Sequence, residues 1–262
     1  MAAEASAIDP MAQFHIDPVI GSGWSLFGHN IAFTNSAAFM VIVLAVLWLF
    51  MLGGMRRELI PGRWQVAVES MTSFVANMID ANIGPKGKHF TPYVFSLFMF
   101  ILLANFIGLF PLAIIPGLHA FTVTSHITVT GVLAVMSFSI VLFVGFVKHG
   151  LKFFSLFAPH GTPWYLLILI FPIELVSFLV RPFSLGLRLF VAMTAGHILL
   201  DVFASFIIQG LNAHSAIGPV VSILSFLMVI AVSALELLIA AIQAYVFALL
   251  TSLYLNDAIN LH

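Results

Sequence analysis

Long apolar runs alternate with short polar breaks along this chain. Ala37 to Met55 is 19 residues without one polar side chain. Tyr93 to Ile115 is 23 residues, interrupted by Ser96, Asn105 and Pro111. Ile127 to Val147 is 21 residues. Each meets the roughly 20 residues that a helix needs to cross a hydrocarbon layer about 30 Å thick. Two further stretches exceed that need. Pro163 to Ile208 is 46 residues, about 69 Å as a helix at ~1.5 Å per residue. Pro219 to Leu255 is 37 residues, about 55 Å by the same rise. Each is either two spans with a turn inside or one strongly tilted or bent helix. Pro172 and Pro182 are kink candidates in the first. Neither stretch has a polar loop at its middle. The reading favoured is two long tilted helices, joined as a hairpin through residues 209–218.

A different pattern lies between the first two spans. Trp64, Ala67, Val68, Met71, Phe74, Val75, Met78 and Ile79 recur at the i, i+3, i+4 spacing of one helical face. Glu69, Ser70, Ser73, Asn77 and Asp80 take the other faces. Residues 64–80 are expected to form an amphipathic helix lying in the membrane interface; the alternative is a helix packed on a soluble partner. Residues 1–36 are comparatively polar, contain no Lys or Arg, and lack the basic start of a secretory signal. They are read as a retained N-terminal extension. The expected organisation is an all-α integral membrane protein. Its single domain spans residues 37–256, with five crossing elements and a tail at 257–262.

Composition fixes the solvent. Asp, Glu, Lys and Arg make up 7% of 262 residues and apolar side chains 62%; a soluble domain carries about 25% charged residues. Mean hydropathy is +1.15. Nineteen charges cannot clothe a chain of this length in water, which excludes a soluble enzyme, a nucleic-acid binder and a disordered chain. Membrane lipid is the main surroundings, and a net charge of −1 points to no polyanion. There is no Cys, hence no thiolate chemistry.

Orientation follows from the basic residues. Arg56, Arg57 and Arg63 follow the first span, Lys86 and Lys88 precede the second, and Lys148 and Lys152 follow the third. All seven fall on one side. The N-terminus, the 116–126 loop and the 209–218 loop hold none. The N-terminus is therefore expected outside and the C-terminus in the cytoplasm.

The long stretches still hold Glu174, Arg181, Arg188, His197, Asp201 and Glu236. A charge near the bilayer centre costs at least about 2.5–3.5 kcal/mol on insertion scales. Such groups line an ion path, pair with one another, snorkel, or face a partner. Arg181 stands beside Pro182, at a candidate kink, and either pairs structurally, snorkels, or lines an ion path. Arg188 has apolar residues far on both sides. At 100° per residue it shares a stripe with Ser184, Ala192 and Ala195, and Glu174 lies within about 40° of that stripe. Small neighbours admit a close-packed helix. The stripe is either a static contact or a smooth surface past which another subunit slides. Arg suits the second role because it stays protonated. His197 and Asp201, four residues apart, lie roughly opposite Arg188. A His beside a carboxylate suits proton relay. Glu236 and Gln243 share a face of the last stretch, with Ser233 nearby, and a hairpin would bring them to His197 and Asp201. Asn105 either lines the same wet path or makes an interhelical hydrogen bond.

Other chemistry has little support. The chain lacks GxxxxGK[ST], GxSxG and HExxH. Its remaining His residues show no ligand spacing. No metal or cofactor is expected, and the chain by itself is expected to catalyse nothing. A secondary proton antiporter would also keep intramembrane Arg, Glu and His, but usually with internal repeats, and none is visible. An acyltransferase using His197 and Asp201 would need an acceptor pocket, and a plain anchor would not need Arg188.

Ser184-Leu185-Gly186-Leu187-Arg188-Leu189-Phe190 resembles the signature of subunit a of the F-type ATP synthase membrane sector. Ala195-Gly196-His197 follows at that family's spacing, and Glu174 stands where the family has a carboxylate. Gln243-Ala244-Tyr245 resembles the final-helix motif. Pro61 to Gln65 with Glu69 resembles the segment after the first span, and Leu103 to Pro111 the second span. Many members carry Asn where this chain has Ala192. Some place Glu at the position of His197 and His at that of Glu236. The His version resembles alphaproteobacterial and mitochondrial members.

The resemblance implies a stator, in a bacterial inner membrane, facing a rotating ring of small hairpin subunits that each bear a carboxylate. It also implies peripheral-stalk subunits and, indirectly, the soluble ATPase sector as partners. Two offset half-channels would serve the ring. The outside one would use His197, Asp201, Glu236, Gln243 and Asn105; the inside one would use Glu174. Arg188 would stand between them.

Overall fold

The computed structural model describes residues 18–20, 25–26, 29–30, 32–55, 62–110, 122–150, 153, 164–213 and 217–260. Arg56, Arg57, Lys152 and most of the N-terminal extension lie outside these residues. So do Pro163 and residues 111–115 of the expected second span.

Among the described residues, five helices are long and apolar enough to cross a membrane. They belong to α1 (Asn35–Gly54), α3 (Thr91–Leu109), α4 (Ile127–His149), α5 (Trp164–Asn212) and α6 (Gly218–Ile259); α2 (Arg63–Asn82) precedes α3. A 3-10 segment, Pro85–Phe90, leads directly into α3. The Thr34 side chain caps α1 by accepting from the Ala37 N–H, satisfying one of the helix's orphan donors. α3 stops earlier than the apolar run does. Phe110 is extended, at φ −69° and ψ 129°, because the residue before a proline is pushed out of the helical region by the Pro111 ring.

Neither long stretch is divided. α5 is one helix of 49 residues with Pro172 and Pro182 inside it, and α6 is one of 42. At ~1.5 Å per residue these are about 73 and 63 Å, so both must lie obliquely in a bilayer. They form a hairpin that turns between Asn212 and Gly218, a shorter turn than the ten residues the sequence suggests. Ser222 on α6 closes it by donating to the Ile207 carbonyl. α6 also runs four residues beyond the apolar stretch, because Ala258 and Ile259 are buried against the bundle.

The core lies where α3 and α4 pack against the hairpin. α5 contributes Phe178, Leu185, Leu189 and Met193, and α6 contributes Ala240, Ala244, Phe247, Ala248 and Leu255. These recur three, four and seven apart, so each helix offers one buried stripe. α2 docks through Val68, Val75, Met78 and Ile79, while Trp64, Met71 and Phe74 on its predicted apolar face stay exposed. Trp64 Nε1 donates to the Phe50 carbonyl. The segment before α1 holds two short antiparallel pairings that the sequence does not announce: β1 (Pro18–Ile20) with β4 (Phe33–Thr34), and β2 (Ser25–Leu26) with β3 (His29–Asn30).

Candidate functional site

The hairpin carries two polar clusters with Arg188 between them. The first forms on the buried stripe of α5. His197 continues the series Leu185, Leu189, Met193 at four-residue steps and is itself buried. From α6, Glu236 is 1% exposed in the same core. Its Oε1 lies 2.7 Å from His197 Nδ1. Gly196 permits the approach: a Cβ there would stand 2.5 Å from Glu236 Oε1. The His197 Nδ1 also faces the Met193 carbonyl at 3.0 Å, while Nε2 faces Thr122 Oγ1 at 2.5 Å and the Gly108 carbonyl at 3.4 Å. The expected meeting of the two hairpin arms is thus a direct His–Glu contact.

Gln243 is buried on the same face of α6, two turns beyond Glu236. Its Nε2 has no hydrogen-bond partner among the described residues, and neither Glu236 oxygen has one of good geometry. Buried amide and carboxylate atoms in that condition call for water. Asp201 is half-exposed one turn past His197, within electrostatic range of both His197 and Glu236. Asn105 is fully buried, and both ends of its amide are occupied. Its Nδ2 donates to the Ala240 carbonyl and its Oδ1 accepts from Thr124. Of the two uses open to Asn105, the interhelical hydrogen bond is made, and it ties α3 to α6 beside the His–Glu pair.

Thr122, Thr124 and Ser125 reach this cluster from the loop before α4, and sequence reasoning passed over them. All three are buried. The available signal was a row of hydroxyls just ahead of an apolar span. Ser125 Oγ donates to the Thr122 carbonyl and Thr194 donates to the Ser125 carbonyl, so the loop is tied to itself and to α5. His126 follows. Burial pushes its imidazole below the usual histidine range, so at neutral pH it adds no cation here.

The second cluster surrounds Arg181. Its guanidinium donates to Asp257 at 2.8 Å and lies 3.8 Å from Glu174. Phe178 and Tyr254 rings flank it at 5.6 and 5.4 Å. Asp257, assigned by sequence to the chain's end, belongs to α6. The same end gathers basic groups. Lys86 Nζ donates to Asn260 Oδ1, and His149, next to Lys148, contacts the Ile259 carbonyl.

Arg188 belongs to neither cluster. It is exposed, as are Ser184 and Ala195, with Ala192 half-buried. Among the described residues it has no ion pair. Nine residues separate it from His197, so the two point to opposite sides of α5 at 100° per residue.

A family model for the ATP synthase A chain matches residues 37–256. The chain is 68% identical to the ATP synthase subunit a of Rhizorhabdus wittichii, over the full length of both. It is 64% identical to that of Sphingopyxis alaskensis, again over both full lengths. It is 48% identical to that of Mesorhizobium japonicum, over 98% of each chain. With the family model covering most of the sequence and full-length relatives at such identity, the chain belongs to the ATP synthase A chain family.

Proposed function

We propose that Arg188 is the fixed charge separating two offset proton half-channels, against which a rotating ring of carboxylate-bearing hairpin subunits turns. The chain's function is that of its family: as a multi-pass protein of a bacterial membrane it is the proton-conducting stator of the ATP synthase membrane sector. The ring and the other subunits of the complex are its partners. The observation that carries the role of Arg188 is its contrast with its neighbours. Every other ionic group on α5 within reach of α6 is engaged or half-buried, while Arg188 stands exposed among small side chains with no ion pair among the described residues.

Protons enter from outside past Asp201 and Gln243 to His197 and Glu236, and Asn105 holds the walls of that path. They neutralise a ring carboxylate, which then faces lipid without the cost of a buried charge. After nearly a full turn the carboxylate meets the second path near Glu174 and releases its proton inside. Arg188 favours the ionised carboxylate between the two events, since an opposite charge nearby stabilises the charged form. Its own fixed charge repels protons that would leak across. Glu174 and His197 are about 21 Å and 13 Å from Arg188 along the helix, at ~1.5 Å per residue. In an oblique helix those distances become lateral offset. Each proton crossing 100 mV supplies ~2.3 kcal/mol, which a leak would dissipate.

The N-terminus lies outside and the C-terminus in the cytoplasm. This is supported by the basic residues and by the meeting of Lys86 and the Lys148–His149 end of α4 with the last turn of α6. Peripheral-stalk subunits hold the stator against the ring's torque.

Inverted membrane vesicles test the assignment. Arg188→Ala is expected to abolish ATP-driven proton pumping while the complex still assembles. Coupled pumping retained in that variant would overturn it.

A further inference from the structure

We propose that Thr122 is a proton-relay residue: its hydroxyl exchanges protons with Nε2 of His197 while Nδ1 of the same ring exchanges with Glu236. This rests on the reading of His197 and Glu236 as the outside path.

Four groups surround the buried imidazole. On Nδ1 are the Met193 carbonyl at 3.0 Å and Glu236 Oε1 at 2.7 Å. On Nε2 are the Gly108 carbonyl at 3.4 Å and Thr122 Oγ1 at 2.5 Å. Carbonyl oxygens only accept. When Nε2 carries a proton, both of its neighbours can receive the hydrogen bond. When Nε2 is bare, the Gly108 carbonyl has nothing to donate, and the Thr122 hydroxyl alone among the described residues can reverse its role. It is therefore the one neighbour matched to both states of that nitrogen.

The site is built for this contact. Thr122 is 3% exposed. Gly108 leaves it room, since a Cβ on Gly108 would overlap the Thr122 side chain. The Thr122 carbonyl accepts from both the N–H and the hydroxyl of Ser125, which fixes the backbone from which the side chain projects. Thr122 stands just ahead of the 3-10 turn Val123–Ser125 that leads to α4, on the side from which protons arrive in the proposed orientation.

The transfer balances in protons. A hydronium beside Thr122 gives a proton to Oγ1 and leaves as water, as Oγ1 gives its own proton to Nε2. Nδ1 then releases its proton to Glu236 Oε1. The O–H bond broken at Thr122 is replaced from the hydronium, and the N–H broken at Nδ1 is replaced by the O–H formed on Glu236. Glu236 passes its proton on toward the ring carboxylate, and a half-turn of the imidazole exchanges its two nitrogens, which together restore the starting form.

The experiment measures passive proton conductance of the membrane-bound complex after removal of the soluble ATPase sector, driven by a potassium diffusion potential. Thr122→Val keeps the shape and loses the hydroxyl; Thr122→Ser keeps the hydroxyl and loses the methyl. Thr122→Val is expected to lower conductance about tenfold or more, in line with the loss of a positioned proton-transfer group, and Thr122→Ser to conduct near the unaltered level. Normal conductance in Thr122→Val, or equal loss in both variants, would overturn the relay. If Thr122→Val does not assemble, the smaller Thr122→Ala carries the same comparison. Arg188→Ala, assayed for ATP-driven pumping in the intact complex, separates the two ideas. Pumping retained there sinks the role given to Arg188, whereas its loss together with normal conductance in Thr122→Val sinks only the relay.

Discussion

Arg181 and Arg188 lie two turns apart on the same helix, and the fold treats them in opposite ways. Arg181 is held by Asp257 at 2.8 Å, by Glu174 at 3.8 Å and by the faces of two aromatic rings. Arg188 is exposed and has no ion pair among the described residues. An intramembrane arginine without a partner is costly, and the described residues leave that cost uncompensated. The difference separates a charge spent on joining α5 to α6 from a charge kept for another molecule. The same contrast divides the two ends of the hairpin. The His197 end is buried and rich in groups that hold or lend protons, and the Arg181 end is half-exposed and dominated by a permanent cation.

The largest effect should come from reversing that assignment. Arg188→Ala and Arg181→Ala remove the same group from one helix, seven residues apart. ATP-driven pumping is expected to vanish in the first and to be reduced in the second, where Glu174 and Asp257 lose their cation but the dividing charge remains. Equal loss in the two variants, with equal assembly, would erase the distinction between joining and dividing charges.

Much of this was visible before any coordinates. Apolar runs announced the five crossing helices, and excess length without a polar loop at either middle favoured the oblique hairpin over a pair of spans in each stretch. Helical periodicity put Arg188 and His197 on opposite faces, as found. What stayed hidden depended on distant partners. Pairing was one reading of Arg181, but its partner stayed unnamed because Asp257 lies 76 residues away. Asn105 left two uses open because its partners, Ala240 and Thr124, sit on other elements. Thr122 sits in a loop without periodicity, so nothing in its spacing distinguished it from a surface threonine. The short pairings of residues 18–34 were illegible for a similar reason: strands of two or three residues are too short to alternate detectably.

The buried end offers a sharper test than removal. His197 and Glu236 touch at 2.7 Å across the hairpin, and neither should work without the other. His197→Glu alone would set two carboxylates against each other in the core, and Glu236→His alone would set two imidazoles together. Each is expected to lower pumping strongly. The double exchange restores one acid and one base, with a coupling of about 0.5–3 kcal/mol expected between contacting sites. Losses that simply add would show that the contact carries no function, and the buried end would then be no more than packing.

The smallest effect should fall at the other end. Asp257→Asn keeps the shape and removes the charge that holds Arg181. Their side chains are 26% and 41% exposed, so solvent and headgroups screen the pair and its worth is at most about 1 kcal/mol. Lys86 and His149 still tie the last turn of α6 to its neighbours, and Glu174 remains beside Arg181. Asp257→Asn should therefore lower the melting temperature of the purified complex slightly and leave pumping nearly intact. If pumping instead collapsed while melting was unchanged, the Arg181 cluster would belong to the proton path itself. Arg181 and Arg188 would then differ in partner but not in purpose.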